Sequence, residues 1–253
     1  MEENIFSSEV INAKINKIID KNKTNKHNKT ILVLSGGGIK GIAHVGALSV
    51  LYDNNILNNI ETIAGTSVGG VIGFLINIGY KPEELREFII AFDFGKLTKI
   101  KFDPLTFFNT FGMTDGNKFI LVLINMMEAK QITEKTTFIE LFNRTNKTLI
   151  ISAACINDKQ IHYFSHKTAP NMPIVTAIQM TIAIPIYFYP VKYENKLYVD
   201  GGCIDNYPIH IFENSSENVI GIYLIENKDY VENISNIEDY FINLSRCLFE
   251  GLL

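Results

Sequence analysis

Short apolar runs alternate along the chain with longer segments in which apolar residues recur at helical spacing. The short runs are rich in β-branched residues and predict buried strands, at 30–34, 60–64, 148–156, 160–164, 196–199 and 219–225. The amphipathic segments predict helices, at 42–52, 68–78, 81–92, 115–126, 136–143 and 173–181. One face of the first helix is marked by Ile42, Val45, Leu48 and Tyr52. A strand, a glycine turn and a helix follow one another twice, which is typical of α/β proteins with parallel strands.

Residues 94–112 interrupt this alternation. The segment is rich in phenylalanine, contains Pro104 and ends at Gly112, and we expect it to be irregular. It could form an acyl-binding wall or a mobile lid, or it could be ordinary core beneath a long connection.

We expect one catalytic domain over residues 31–225 with an extension at each end. Residues 1–30 are interpreted as an amphipathic helix, at 8–20, followed by a polar, basic linker with a weak attraction for anionic lipid as one alternative. Residues 226–253 predict a C-terminal helix packed on the same domain.

Composition narrows the classes of partner. The chain has 253 residues, 47% of them hydrophobic, and a net charge of −4, so it lacks the basic surface that a nucleic-acid partner would require. The acidic N-terminus is not followed by an apolar segment, so we expect no secretory signal and a cytoplasmic location. Residues 168–191 are uncharged and largely apolar, but their four prolines predict a buried helix-turn-strand segment instead of a membrane span.

The cysteines do not suggest a structural role. Cys155, Cys203 and Cys247 lie far apart and contain no C-x-x-C pair. We therefore expect free thiols in a reducing compartment, without a disulfide framework or a zinc site.

A Gly-x-Ser-x-Gly sequence lies where the second predicted strand meets its helix. Ser67 stands between Gly65 and Gly69, and an apolar helical segment begins at Val68. A nucleophile elbow requires this spacing, because its serine occupies a strained turn in which the residues two positions away crowd each other. The N-terminus of the helix would direct its positive dipole end toward the serine oxygen. The alternative is a simple glycine-rich turn.

The first predicted strand also ends in a glycine turn, Gly36 to Gly41. The turn fits the dinucleotide-binding pattern G-x-G-x-x-G, but Glu61, the acidic residue at the right distance, starts the next strand instead of ending it. A P-loop needs Gly-Lys-Ser/Thr, whereas here Lys40 precedes the last glycine. Nucleotide binding is therefore the weaker interpretation.

An oxyanion hole is the better use of these glycines. Loops that end neighbouring parallel strands open at the same edge of a sheet, so Gly36, Gly37 and Gly38 would lie beside Ser67. Their backbone N–H groups could stabilise the negative tetrahedral oxygen that forms during acyl transfer.

A serine nucleophile needs a base, and two candidates follow it in the sequence. Asp200 ends a predicted strand and precedes Gly201 and Gly202, which leave its carboxylate unshielded. His210 is the only histidine that follows Asp200, as the order of a Ser-Asp-His triad requires. We favour Asp200 acting directly in a two-member dyad, with the Ser67-Asp200-His210 triad as the alternative.

Together these motifs resemble the patatin-like phospholipases. The resemblance rests on three segments in order: Gly36-Gly37-Gly38-Ile39-Lys40-Gly41, Gly65-Thr66-Ser67-Val68-Gly69 and Asp200-Gly201-Gly202. It extends from about residue 31 to residue 225 and includes the run from Ile184 to Val191 and the Asn206-x-Pro208 sequence. Two residues depart from the family's pattern. Val68 is bulkier than the residue often found after the serine, and Cys203 follows Asp200-Gly201-Gly202.

The resemblance implies a three-layer α/β/α fold with a mostly parallel sheet and a Ser-Asp dyad. Ser67 would be the nucleophile, Asp200 the base and Gly36 to Gly38 the oxyanion hole, with Lys40 at the basic position of the family. No metal or other cofactor is implied.

The leading hypothesis is a lipid acyl hydrolase of the phospholipase A type, acting at a membrane surface without spanning it. A neutral-lipid lipase or transacylase is the alternative enzyme. A storage or interaction protein on the same fold is the alternative outside enzymes. The sequence does not fix the oligomeric state.

Overall fold

The computed structural model describes residues 29–91, 103–225, 231–235, 240 and 243–244. Its strands are β1 (Ile31–Leu34), β2 (Thr62–Gly65), β3 (Gly112–Thr114), β4 (Thr148–Cys155), β5 (Gln160–Phe164), β6 (Ile186–Phe188), β7 (Val191–Tyr193), β8 (Lys196–Asp200) and β9 (Val219–Ile222). Its α-helices are α1 (Ile42–Asp53), α2 (Val68–Asn77), α3 (Pro82–Ala91), α4 (Pro104–Thr110), α5 (Asn117–Ala129), α6 (Phe138–Thr145) and α7 (Ile174–Thr181). Short 3₁₀ helices occupy Gly38–Gly41, Leu57–Asn59, Gly201–Cys203 and Pro208–Asn218.

Seven of the described strands form one sheet. The order is β7-β8-β4-β2-β1-β9, and β5 pairs with β4 outside this path. The centre is parallel, with β1 beside β2 and β9 and with β2 beside β4, whereas β5, β7 and β8 run antiparallel to their neighbours. β3 and β6 form a separate parallel pair.

Both faces of this sheet are covered. Leu32, Ile63 and Leu149 lie in register on one face and are buried. Helix α2 packs there, since a Cβ on Gly73 would lie 2.8 Å from Ile63. Full burial of such a side chain contributes about 1.5–3 kcal/mol.

The opposite face carries Val33 in register with Ala64 and Gly221. Glycine is required at position 221, because a larger residue would collide with the Tyr207 hydroxyl and with Ile209. The predicted three-layer α/β fold with a mostly parallel sheet is confirmed, and its parallel centre directs the carboxyl ends of β1 and β2 to one edge.

The predicted face of α1 is partly wrong. Val45 and Leu48 are buried, but Ile42 is 46% exposed and Tyr52 38% exposed. His44 takes a place in the interior instead, because its Nε2 lies 2.8 Å from the Ser35 carbonyl oxygen and so has a polar partner there.

The prediction of an irregular segment at 94–112 is also wrong in its second half. Residues 104–110 form α4, which begins with a proline and is capped by the Asp103 carboxylate accepting from the N–H groups of Leu105 and Thr106. Phe108 and Phe111 are exposed, so they are not part of the core. Residues 94–102 lie outside the described residues, as do the predicted helix at 8–20, most of its linker and most of the predicted C-terminal helix.

Across the described segments, no helix is long and apolar enough to cross a membrane. The apolar stretch at 168–191 is divided among α7, β6 and the start of β7, as the prolines predict. The predicted order of helix, turn and strand is confirmed; the helix is mostly buried, whereas residues 184–191 are only partly buried.

Candidate active site

The turn from β2 into α2 holds Ser67 in a strained conformation. Its φ is 53° and its ψ is −128°, outside the regions that non-glycine residues favour. A Cβ on Gly65 would lie 2.5 Å from the Gly69 carbonyl carbon, and a Cβ on Gly69 would lie 2.5 Å from the Leu34 oxygen. The two glycines therefore allow a turn that other residues would block.

Ser67 is paired with Asp200. The Ser67 hydroxyl donates to Asp200 Oδ2 at 2.6 Å, although the two residues lie 133 positions apart in the sequence. Both are nearly excluded from solvent, with exposures of 7% and 3%. None of the described histidines takes part in this contact.

Asp200 is held through both its side chain and its backbone. Its Oδ1 accepts from the Gly202 N–H at 2.7 Å, and its own N–H donates to the Ala183 carbonyl at 2.9 Å. A Cβ on Gly201 would lie 2.5 Å from the Ser152 hydroxyl, so this loop also depends on glycine.

Burial dominates the electrostatics of this carboxylate. Desolvation raises the pKa of Asp200 to about 7, and the hydrogen bonds from Ser67 and Gly202 oppose the rise. Burial therefore brings the pKa of Asp200 close to neutral pH. Such a group can both accept and return a proton.

The glycine turn after β1 passes directly beside Ser67. A Cβ on Gly36 would lie 3.2 Å from Ser67 Cβ, and the Gly36 N–H donates to the Asn206 carbonyl at 2.9 Å. Gly38 has a φ of 55°, which favours glycine. Within the described part of the chain, the N–H groups of Gly37 and Gly38 make no hydrogen bond, so two of the three predicted donors are available to a substrate.

The rest of this turn supports the elbow. A Cβ on Gly41 would lie 2.3 Å from Val68 Cγ2, so the loop and the start of α2 pack closely. Lys40 is partly exposed at the outer side of the turn, and its N–H donates to the Gly37 carbonyl at 3.1 Å.

His210 does not complete a triad. Its Nε2 lies 3.3 Å from the Tyr163 hydroxyl, its Nδ1 lies 3.8 Å from Asp205, and its side chain is exposed. In the chain as described, neither Ser67 nor Asp200 hydrogen-bonds to a histidine.

The dinucleotide interpretation also finds no geometric support. Glu61 precedes β2 and lies at the amino end of that strand, whereas the glycine turn lies at the carboxyl end of β1. Because β1 and β2 are parallel, the acidic residue and the glycine turn lie at opposite edges of the sheet.

Two contacts at the elbow were missed by sequence reasoning. The Ser67 N–H donates to the Thr181 hydroxyl at 2.8 Å, and the Thr66 hydroxyl contacts Ser152 Oγ at 2.6 Å. Thr181 is fully buried at the end of α7. No local motif marks these residues, because each comes from an element distant in sequence.

Comparison with known proteins places these features in a family. The family model of the patatin-like phospholipases matches residues 32–213. The uncharacterized protein R571 of Acanthamoeba polyphaga mimivirus is 34% identical over 222 residues, which cover 84% of this chain and 73% of that protein. The probable lipid hydrolase 463L of Invertebrate iridescent virus 6 is 38% identical over 189 residues, which cover 74% of this chain and 63% of that protein.

The fold is similar to that of a solved structure. VipD from Legionella pneumophila superposes with a TM-score of 0.64 at 17% identity, over 77% of this chain and 49% of VipD. The chain thus spans less than two thirds of the iridescent virus protein and about half of VipD. The family match, which covers more than half of the chain, shows that this chain belongs to the patatin-like phospholipase family.

Proposed function

We propose that the protein hydrolyses carboxylic esters of lipids, with phospholipase A activity, through an acyl-enzyme on Ser67. The observation that carries the proposal is the 2.6 Å hydrogen bond from the Ser67 hydroxyl to Asp200 Oδ2. A hydroxyl is a weak nucleophile until a base accepts its proton, and this carboxylate is the group in contact with it.

In the first half of the reaction, Ser67 Oγ attacks the ester carbonyl carbon while its proton passes to Asp200. The tetrahedral intermediate then collapses, the bond to the alcohol oxygen breaks, and Asp200 returns the proton to that oxygen. The lysolipid leaves as a neutral alcohol, and the fatty acyl group stays on Ser67 as an ester.

In the second half, Asp200 accepts a proton from water. The water oxygen attacks the acyl carbon, and the intermediate releases the fatty acid when the proton returns to Ser67 Oγ. The same carboxylate serves as base and acid in each half, and a pKa of about 7 suits both roles.

The glycine turn would stabilise the negative oxygen of both intermediates. We assign the oxyanion hole to the predicted Gly36–Gly38 segment. The N–H groups of Gly37 and Gly38 act as its donors, while the Gly36 N–H anchors the loop to Asn206. Removing one such donor typically costs about 10²–10³ in rate.

The substrate that fits this site is a phospholipid or another acyl-ester lipid presented by a membrane, to which the protein would bind peripherally in the cytoplasm. No metal or cofactor has a role in the proposed steps. Lipase or transacylase activity on neutral lipids uses the same chemistry, since only the leaving group or the acyl acceptor differs. A storage or interaction role would not need the Ser67–Asp200 contact.

Liposomes provide the direct test. Vesicles of phosphatidylcholine and phosphatidylglycerol with different chains at the two acyl positions are incubated with the full chain, and the products are identified by mass spectrometry. Release of free fatty acid and lysophospholipid supports the proposal. Transfer of acyl groups to an added acceptor, or hydrolysis of triacylglycerol emulsions alone, would support the alternative enzyme instead.

The pH profile should follow Asp200. Only its ionised form accepts the serine proton, so kcat/KM is expected to rise with pH and to level off above an inflection near pH 7. Initial rates on a short-chain ester between pH 5 and 9, where the fold is intact by circular dichroism, measure the profile. A profile that is flat over this whole range would contradict the role of burial, because the pKa of Asp200 would then lie near its ordinary value.

Replacing His210 should leave hydrolysis nearly unchanged. The imidazole contacts Tyr163 and lies near Asp205, and it does not reach Ser67. We expect the kcat/KM of His210→Ala to stay within about threefold of the wild-type value, since the residue takes no part in proton transfer. A loss of several hundredfold with an unchanged melting temperature would favour the triad over the dyad.

A further inference from the structure

The turn between β4 and β5 brings together a thiol, a carboxylate and an imidazole. Cys155 ends β4, Asp158 lies in the turn and His162 lies within β5. One ligand atom from each of the three lies within 4.8 Å of the others. His162 Nε2 is 2.9 Å from Asp158 Oδ2.

We propose that Cys155, Asp158 and His162 form a binding site for Zn²⁺. This departs from the expectation from cysteine spacing, because the site uses a single cysteine and no C-x-x-C pair would mark it. Thiolate sulfur, imidazole nitrogen and carboxylate oxygen are the ligands that Zn²⁺ prefers, at bond lengths of about 2.0–2.3 Å. Such bonds require the three atoms to approach one another to roughly 3–4 Å, which small side-chain rotations achieve from the present arrangement. Binding forms a zinc–sulfur bond and releases the thiol proton to water.

The surroundings suit an accessible ion. Cys155 is buried, whereas the side chains of His162 and Asp158 are 27% and 31% exposed, so an ion can enter from solvent and keep a water ligand.

Lys196 competes with a metal ion for the Asp158 carboxylate. Its Nζ lies 3.0 Å from Asp158 Oδ2, so its ammonium group already pairs with the oxygen that a metal would bind. Zn²⁺ and this ammonium repel each other, and binding requires the lysine to turn toward solvent. Since the lysine side chain is 42% exposed, its displacement should weaken metal affinity by no more than about fivefold.

This site is separate from the proposed dyad. Ala153 pairs with Asp200 in the sheet, and Cys155 lies two residues farther along β4, paired with Tyr198. A bound ion would join the end of β4 to the turn and to β5. The expected effect is on the stability of this hairpin, and the test does not depend on lipid hydrolysis.

Cobalt provides a spectroscopic test of thiolate ligation. The full-length chain is freed of metal with a chelator and titrated with Co²⁺, followed by Zn²⁺ in competition. A thiolate-to-cobalt charge-transfer band should appear in the wild type and persist when Cys203 and Cys247 are both replaced by serine. It should be lost in Cys155→Ser and strongly weakened in His162→Ala, whose partly exposed site tolerates substitution better.

Lys196→Met gives the opposite change and separates the metal site from a simple ion-pair network. We expect it to tighten Co²⁺ binding by up to about fivefold, because the competing ammonium is gone. Zn²⁺ at a hundredfold excess over its Kd should raise the wild-type Tm by roughly 5 °C and leave His162→Ala unchanged. Absence of the band in the wild type, equal affinity in His162→Ala, or weaker Co²⁺ binding in Lys196→Met than in the wild type would each overturn the proposal.

Discussion

Ser67→Ala is expected to reduce ester hydrolysis by roughly 10⁴–10⁶-fold, the range typical for loss of a serine nucleophile. The variant removes the oxygen that forms the acyl-enzyme and leaves the glycine turn intact. Its backbone keeps a φ near 53°, and since alanine also carries a Cβ, the strain of the elbow stays in place. The fold should therefore persist while the chemistry is lost.

Ser49→Ala is the matched control. Ser49 lies in α1, and its hydroxyl donates to the Val45 carbonyl at 3.0 Å, away from the elbow. It should retain wild-type hydrolysis of liposomes and of a short-chain ester. If Ser67→Ala kept more than about one per cent of the wild-type rate with purified, metal-free protein, a covalent role for Ser67 would be excluded.

A mechanism-based inhibitor extends this test to the intermediate. A fluorophosphonate should add one adduct mass to the wild type, localised by peptide mass spectrometry to the peptide containing Ser67, and should leave Ser67→Ala unlabelled. Labelling of another serine instead of Ser67 would identify that serine as the nucleophile and contradict the proposal.

The local parts of the site could be predicted because each depends on short-range sterics. Gly65 and Gly69 are required by distances within one turn, and a glycine at position 36 is required where the loop passes Ser67. Such constraints appear in sequence as fixed spacings. Spacing alone therefore predicts the serine and the glycine turn, and the resemblance to the patatin-like phospholipases joins Asp200 to them in one site.

The direction of β8 could not be predicted. Parallel strands end at one edge, so an antiparallel strand would be expected to carry its last residue to the opposite edge. Here β4 extends beyond β2: Ile151 pairs with Gly65, and Ala153, two residues on, pairs with Asp200. β8 thus runs back from this extension and ends at the edge where Ser67 lies. The register of a long strand decides this, and no local pattern encodes it.

Contacts between distant elements were missed for a related reason. Thr181 and Ser67 lie 114 positions apart, and the short strands β3 and β6 are too brief to show a period. The inward face of α1 was predicted from apolar spacing, but the Ser35 carbonyl gives His44 a hydrogen bond and thus a place inside. At Thr181 and His44, hydrogen bonds between distant elements therefore decide the position of the side chain, and the hydrophobic pattern does not show them.

Asp200→Asn is expected to reduce hydrolysis by roughly 10⁴-fold or more, because the amide cannot accept the serine proton. The shape of the site should survive. The amide oxygen can accept from the Gly202 N–H, and the amide nitrogen can donate to Ser67 Oγ. The exposed carboxylate Asp53 at the end of α1 provides the control, and Asp53→Asn should hydrolyse liposomes like the wild type.

The same substitution should stabilise the fold, and the gain should depend on pH. The pKa of Asp200 rises from 3.8 to about 7 on folding, so between these values the unfolded chain ionises while the folded protein does not. Relative to the neutral asparagine, the aspartate therefore costs nothing below about pH 4 and increasingly more up to pH 7, on the order of 4 kcal/mol above it. Urea unfolding of both proteins at pH 5 and pH 8 measures this difference. If the gain in stability of the Asn variant over the wild type is no larger at pH 8 than at pH 5, Asp200 is not held against its own ionisation. Greater stability without activity would show that the buried charge is kept for chemistry at the expense of the fold.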